Sequence, residues 1–241
     1  MNKPAAAWMP IACAMAAAIA GANLCVAAEV PPPPPTQPVA DPRPILEELQ
    51  RKMAALRSVS LEFTQERHLQ LFTEPLVSEG VMLIESPDQI RWETLAPYQS
   101  ILLGNHHGVA QFERTEGEWK KLRLGFPQLL RRVMEQMVLM HQGKLDALTR
   151  DFTISVATGA VAVVTMVPKD KTVRSMLVAL EVHLQPDFSA TREVVMKEPS
   201  GEFTRIVFRR ERRGVRFPGG TFDQIKPLEI AAIRSALRDG D

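Results

Sequence analysis

Val59-Ser-Leu-Glu-Phe-Thr-Gln65 carries an apolar side chain at every second position until Gln65. Successive side chains of a strand point to opposite faces, so Val59, Leu61 and Phe63 share one face and the polar residues between them the other. The pattern repeats outward along the chain. Glu74-Pro75 turns it, and Val77 to Glu85 reads as a second strand. Ser86-Pro87-Asp88 is a turn, followed by Gln89 to Leu95 with Ile90 and Trp92 facing one way. Ala96-Pro97 breaks that run, and Ser100 to Leu103 continues the sheet. Asn105-His106-His107-Gly108 and Thr115-Glu116-Gly117 read as hairpin loops.

The period changes on either side of this meander. Before it, Ile45, Leu49, Met53 and Leu56 fall on one helical face, with Glu47, Glu48, Arg51 and Lys52 mostly opposite. After it, Phe126-Pro127 opens a segment with apolar pairs at Leu129/Leu130, Val133/Met134 and Met137/Val138, a second amphipathic helix ending near Gly143. Strands resume at Phe152 to Ala157, Val161 to Val167, Met176 to Leu184, Thr191 to Lys197 and Phe203 to Arg210. A short helix is expected from Pro227 to Arg238. Roughly ten antiparallel strands with few helices make an α+β domain dominated by one large sheet, and sheets of that size curl.

Composition narrows the function. The chain has 241 residues, with 29 Lys and Arg against 28 Asp and Glu, a net charge of +1. That balance argues against a general nucleic-acid binder. Both cysteines, Cys13 and Cys25, lie near the start. The body therefore holds no disulfide scaffold, Cys zinc site or thiol nucleophile.

The first residues read as a targeting segment. Lys3 gives a positive start, residues 4–28 carry no charge, and Val26-Ala27-Ala28 presents small residues for cleavage before Glu29. Pro10, Gly21 and Asn23 break the apolar run, which makes a poor permanent membrane span. Lipid attachment at Cys25 fits poorly, because Leu24 stands where a small residue is wanted. Export to an oxidising periplasm suits a mature chain without thiols. Eight prolines between residues 31 and 44 favour an extended spacer unable to form helix or sheet. The expected organisation is a signal peptide (1–28), a Pro-rich linker (29–44), a sheet-dominated domain (45–226) and a helical tail (227–241).

Signatures of catalysis are missing. The sequence has no Gly-rich phosphate loop, no His-Glu-x-x-His helix and no Gly-x-Ser-x-Gly elbow. Among five histidines only His106 and His107 are adjacent. Neighbouring strand-end residues point opposite ways and rarely ligate one metal, so a solvated loop is the expectation there. No enzyme, cofactor or metal is expected. Arg205 to Arg216 holds six arginines and one glutamate, either a solvated strand and its turn or a dock for an anionic headgroup or acidic partner. Methionine numbers 11. Met134, Met137 and Met140 line the central helix, and Met82, Met166, Met176 and Met196 fall in strands. They are either ordinary core filling or an adaptable lipid-facing surface.

Several stretches in order resemble the LolA family, the periplasmic carriers of outer-membrane lipoproteins in Gram-negative bacteria. They are Phe63-Thr-Gln65, Ser78-Glu-Gly80, Ser86-Pro87 followed by Ile90-Arg-Trp92, and Pro97-x-x-Ser100-Ile-Leu-Leu103. The second half adds Val182-x-Leu184-x-Pro186, Ser200-Gly201-x-x-Thr204-x-Ile206-x-Phe208 and Pro218-x-x-Thr221-Phe222. The resemblance implies an incomplete β-barrel with lid helices over an apolar cavity that takes acyl chains. It implies a cavity and lid built from Phe63, Ile90, Trp92, Leu103, Leu130, Val133, Met134 and Met137. It also implies an inner-membrane donor of the ABC or RND exporter type, an outer-membrane acceptor, and a monomer in the periplasm.

One position departs from the family. Carriers of this kind typically hold Arg before the Pro of the second hairpin, where it fastens the lid. Here that position is Ser86, which lacks the forked donors of a guanidinium. The chain thus reads as a specialised paralogue whose cargo is a lipoprotein, a glycolipid or a polyene lipid. A lipid-sensing regulator resembling RseB proteins is the alternative. Those proteins carry a further C-terminal domain, for which the residues after Phe222 are too few. A lipid hydrolase would need a nucleophile constellation that the sequence does not display.

Overall fold

The computed structural model describes residues 37–53, 57–85, 88–124, 131, 134–136, 138–139, 144–223 and 225. Two antiparallel meanders build it. The first runs through β2 (Ser58–His68), β3 (Leu76–Glu85), β4 (Gln89–Ala96), β5 (Ser100–Asn105), β6 (Gly108–Thr115) and β7 (Glu118–Lys121). The second runs through β8 (Phe152–Thr158), β9 (Val163–Pro168), β10 (Ala179–Leu184), β11 (Thr191–Lys197) and β12 (Phe203–Arg213). A two-residue strand, β1 (Gln37–Pro38), pairs with β8 at the edge. The sheet has 12 strands in the order β1-β8-β9-β10-β11-β12-β2-β3-β4-β5-β6-β7. The meanders are thus sewn together by their first and last long strands, with Phe208 opposite Phe63 and Ile206 opposite Gln65.

Three short helices are described: α1 (Arg43–Met53), α2 (Leu145–Leu148) and α3 (Lys171–Arg174). Arg131, Met134–Gln136, Val138 and Leu139 are also helical and belong to the central amphipathic segment. Asp170 caps α3, its carboxylate accepting from the Thr172 and Val173 amides at 2.7 and 3.0 Å.

Three expectations from the sequence need correction. The proline-rich stretch does enter regular structure: Gln37–Pro38 is strand and Arg43-Pro44 opens α1. An edge strand tolerates a residue without an N–H, and the amides of a first helical turn have no intrahelical partner to lose. Met176 lies in no strand; its amide donates to Val173 at the end of α3, and β10 begins only at Ala179. The short β7 follows the Thr115-Glu116-Gly117 turn and, with β1, takes the sheet beyond ten strands. Leu56 and the Pro227–Arg238 segment lie outside the described residues.

The core sits on one face of the sheet. Val59, Leu61 and Phe63 of β2 meet Met82 and Ile84 of β3, Ile90 and Trp92 of β4, and Leu102 of β5 in one buried cluster. Val156, Val164, Met166, Val182, Leu184, Val194, Ile206 and Phe208 extend it through the second meander. Helical side chains close over it: Leu49 and Met53 of α1, Leu148 of α2, and Met134 and Val138 of the central segment. Each buried side chain of this size contributes about 1.5–3 kcal/mol.

Candidate functional site

Alternation along each strand separates two faces with different chemistry. The inner face is apolar where the helices cover it. Trp92 is in register with Met82 on one side and Leu102 on the other. Its ring lies 4.2 Å from that of Phe63, tilted by 36°. Gly80 makes this contact possible, because a Cβ there would stand 2.5 Å from Phe63 Cζ and 2.1 Å from the Glu93 carbonyl oxygen. Gly104 performs the same service under the central helix. A Cβ on it would stand 2.9 Å from both Ile90 Cγ2 and Met134 Cε. Between this helix and the ends of β4–β6 lies a small solvent-open cleft of about 30 Å³, room for roughly one water, lined by Ile90, Gly104, Val109, Arg131, Met134 and others.

Strands β2 to β6 become polar along their inner positions. After Phe63 come Gln65 and Arg67 on β2, after Trp92 comes Thr94 on β4, and Ser100 precedes Leu102 on β5. Ser78 faces Gln65, and Gln111 faces Leu102. All of these are buried. The indole N–H of Trp92 is enclosed at this boundary and has no acceptor among the described residues.

The outer face holds ion pairs. Arg91, 0% exposed, donates to Glu93 at 2.8–2.9 Å and to the Thr221 carbonyl oxygen at 3.0 Å. Burial lowers the pKa of this guanidinium, and the Glu93 carboxylate opposes that shift. Asn105 Nδ2 donates to the Phe222 carbonyl oxygen at 3.0 Å. The Pro218–Phe222 stretch is thereby strapped across the back of β4 and β5. Further along the outer face, Arg205 bridges Glu193 at 2.8 Å and Glu66 at 3.2 Å. Buried His183, beside them, has neither ring nitrogen hydrogen-bonded among the described residues. Burial depresses its pKa, while Glu193 and Glu181 pull the other way.

The site residues expected from the sequence separate under this geometry. Phe63, Ile90, Trp92 and Met134 all lie in the inner cluster. Leu103 does not: it is in register with Arg91 on the outer face, and Leu102 occupies the inner position beside Trp92. The cause is the two-residue period, which sends neighbours to opposite sides. Leu130, Val133, Met137 and Ser86 lie outside the described residues. Within the arginine-rich run, Arg205, Arg210 and Arg213 pair with Glu66 and Glu193, Glu62, and Glu211. A bulge in β12 aims Arg210, at φ 49°, toward Glu62. His106 and His107 do not point apart; their rings approach to 3.8 Å on the exposed β5–β6 turn. No group of three His, Cys, Asp or Glu among the described residues is placed to hold a metal.

Comparison with known proteins places this architecture. The family model for the outer membrane lipoprotein carrier protein LolA matches residues 54–224. The chain belongs to the LolA family. Its members are carriers of the periplasm, not enzymes. No curated protein matches the chain. Among solved structures, a LolA superfamily protein from Nitrosomonas europaea is similar over 77% of this chain and 99% of its own, at 9% identity and TM-score 0.41. A putative outer membrane lipoprotein-sorting protein domain from Vibrio parahaemolyticus is similar over 81% and 97%, at 10% identity and TM-score 0.40. The Pseudomonas aeruginosa MucA/MucB complex is similar over 77% of this chain and 61% of the matched chain, at 14% identity and TM-score 0.39.

The sequence carried two signals that point reading overlooked. Gly80 and Gly104 interrupt otherwise apolar strands, and each marks a close approach to the inner face. Arg91, set between Ile90 and Trp92, belongs to the outer strap.

Proposed function

We propose that this chain is a periplasmic carrier that shelters the acyl chains of a lipoprotein or another lipid between the inner and outer membranes. The observation that carries the proposal is the apolar part of the inner face, roofed by Met134 and Val138, within a chain of the LolA family. Acyl chains left in water cost about 0.8 kcal/mol per methylene, so a chain of about 16 carbons needs about 12 kcal/mol of shelter. An apolar sheet face supplies that without bond chemistry. In the structure the face is occupied by the protein's own side chains, so uptake must exchange those contacts for ligand contacts. The central helix is the element to give way. Gly104, lacking a side chain, lets Met134 of this helix pack directly onto β5 beside Ile90. The curved sheet then acts as an incomplete barrel with a helical lid, in which Phe63, Ile90, Trp92, Leu130, Val133, Met134 and Met137 meet the chains.

Ser86 supports a specialised role, since the position that fastens the lid in housekeeping carriers lacks its guanidinium here. The cargo would be loaded by an inner-membrane exporter and delivered to an outer-membrane acceptor, with the protein exported by cleavage near Ala28 and working as a monomer. Mass spectrometry of the protein purified gently from its own periplasm tests the reading. A co-purifying lipid or lipoprotein is expected; an empty protein that also fails to bind apolar probes would overturn it.

A further inference from the structure

We infer that one end of the sheet, built on Leu71 and Phe72, docks on a phospholipid surface and inserts those side chains among the lipid head groups. The inference goes beyond the carrier reading and does not depend on the cargo, because these residues lie outside the inner face. Five large hydrophobic side chains are exposed among the described residues, and four of them share this end. Leu71, 85% exposed, and Phe72, 43%, sit in the loop from β2 to β3. Val77 is exposed at the start of β3, and Val178 just before β10. Register brings them to one place. Phe203 at the start of β12 faces His68 at the end of β2, and Lys197 faces both Phe203 and Ala179. The Val178 amide donates to the Lys197 carbonyl oxygen at 2.8 Å. β10 and β2 are three strand spacings apart, about 14 Å. Single exposed apolar residues are ordinary on a protein surface, but four gathered at one end mark an interaction site.

The β2–β3 loop is braced so that its tip stays outward. The Gln70 amide donates to Glu202 Oε1 at 3.4 Å, and the Gln70 side chain donates to the Ser200 carbonyl oxygen. The Phe72 amide closes a tight turn on the Leu69 carbonyl oxygen at 3.1 Å. The His68 ring stacks on Phe203 with centroids 4.1 Å apart. Leu71 thus stands at the tip of a tethered turn and does not fold back on the core. This shape selects the partner. The apolar side chains project from separate connections, and a protein would need a matching pocket for each of them. A bilayer interface accepts apolar tips in any arrangement. Charge agrees with a lipid surface. Lys171 and Arg174 of α3 are exposed at the same end, where they can meet lipid phosphates. Glu74 and Glu79, also exposed, stand on or beside the β2–β3 loop. Apolar insertion, and not net charge, therefore supplies most of the attraction.

The test floats the protein lacking residues 1–28 with phosphatidylcholine vesicles, with and without phosphatidylglycerol. Wild type should float with both, and the anionic lipid should raise binding by only about two- to threefold. Leu71→Ser combined with Phe72→Ser should weaken vesicle binding roughly tenfold or more. Both side chains are exposed, so the thermal melt of the double variant should match that of wild type. No cysteine follows Cys25, so an environment-sensitive dye can be attached at Leu71→Cys, or at His107→Cys on the opposite end of the sheet. The dye at position 71 should brighten and shift to the blue on vesicles, and the dye at position 107 should not. Absence of wild-type binding, equal binding by the folded double variant, or dyes that respond alike would each overturn the inference. A partner protein held through Leu71 and Phe72 by a wild type that ignores vesicles would overturn it as well. Binding of apolar probes, read separately, decides the carrier reading, so the two can fail independently.

Discussion

Glu93→Ala should be one of the most damaging single substitutions in the domain, although Glu93 touches no part of the inner face. Arg91 is fully buried, and Glu93 is the carboxylate 2.8 Å from it. Removing that carboxylate strands a guanidinium whose burial already lowers its pKa. Breaking a buried pair from one side typically costs about 3–5 kcal/mol, because the remaining charge loses its compensation. For a domain of this size each kcal/mol lowers Tm by about 2–4 °C, so a drop of roughly 6–20 °C is expected. The double substitution Arg91→Met with Glu93→Leu removes both charges and should recover most of the loss. It also removes the donor to the Thr221 carbonyl oxygen, so the strap of residues 218–222 should become a site of early proteolysis even where Tm is restored. Thermal melts by circular dichroism, a double-mutant cycle and limited proteolysis measure these effects. A Glu93→Ala loss below about 1 kcal/mol would show that the pair is not an energetic clamp and would refute the reasoning.

Other perturbations probe the lid and the charged outer face. Met134→Asp should weaken binding of an apolar fluorescent probe roughly tenfold or more without changing the far-ultraviolet spectrum of the sheet, since it replaces a buried contact worth about 1.5–3 kcal/mol; unchanged affinity in a folded variant would contradict the lid role. His183 has a folded pKa depressed by burial, with Glu193, Glu181, Arg192 and Arg205 as its charged neighbours. The unfolded chain therefore binds the proton more readily, and stability present above about pH 6.5 should fall as the pH drops. His183→Leu should flatten denaturant midpoints between pH 7 and pH 5, and an unaltered profile would assign the acid sensitivity elsewhere. Ser86→Arg should slow probe uptake in stopped-flow mixing by roughly ten- to a hundredfold if the added side chain finds backbone carbonyls at the lid. Full replacement of a housekeeping carrier by the wild-type protein in a depleted strain would argue against a specialised paralogue.

Much of this molecule is local and was therefore legible in its sequence. Alternation in β2 through β5 depends only on which side of a strand each residue faces, and the hairpin turns sit between the apolar runs. Both meanders and the amphipathic character of α1 could be read on that basis. The end of the alternation at Gln65 already marked where the inner face turns polar. Pairing between distant segments left no such trace. Nothing in either meander states that β12 closes against β2, because that seam joins residues some 140 positions apart, as in the Arg205–Glu66 pair, separated by 139. The same holds for Arg91, which reads as a solvent-facing charge until the Thr221 carbonyl and Glu93 enclose it. Leu103 shows the limit at its smallest scale. Leu102 and Leu103 are both apolar and both buried, so composition cannot choose between them. The register with Trp92 and Arg91 sends one inward and the other to the back of the sheet. Local periodicity determined the elements, and long-range pairing decided which of their faces became the inside.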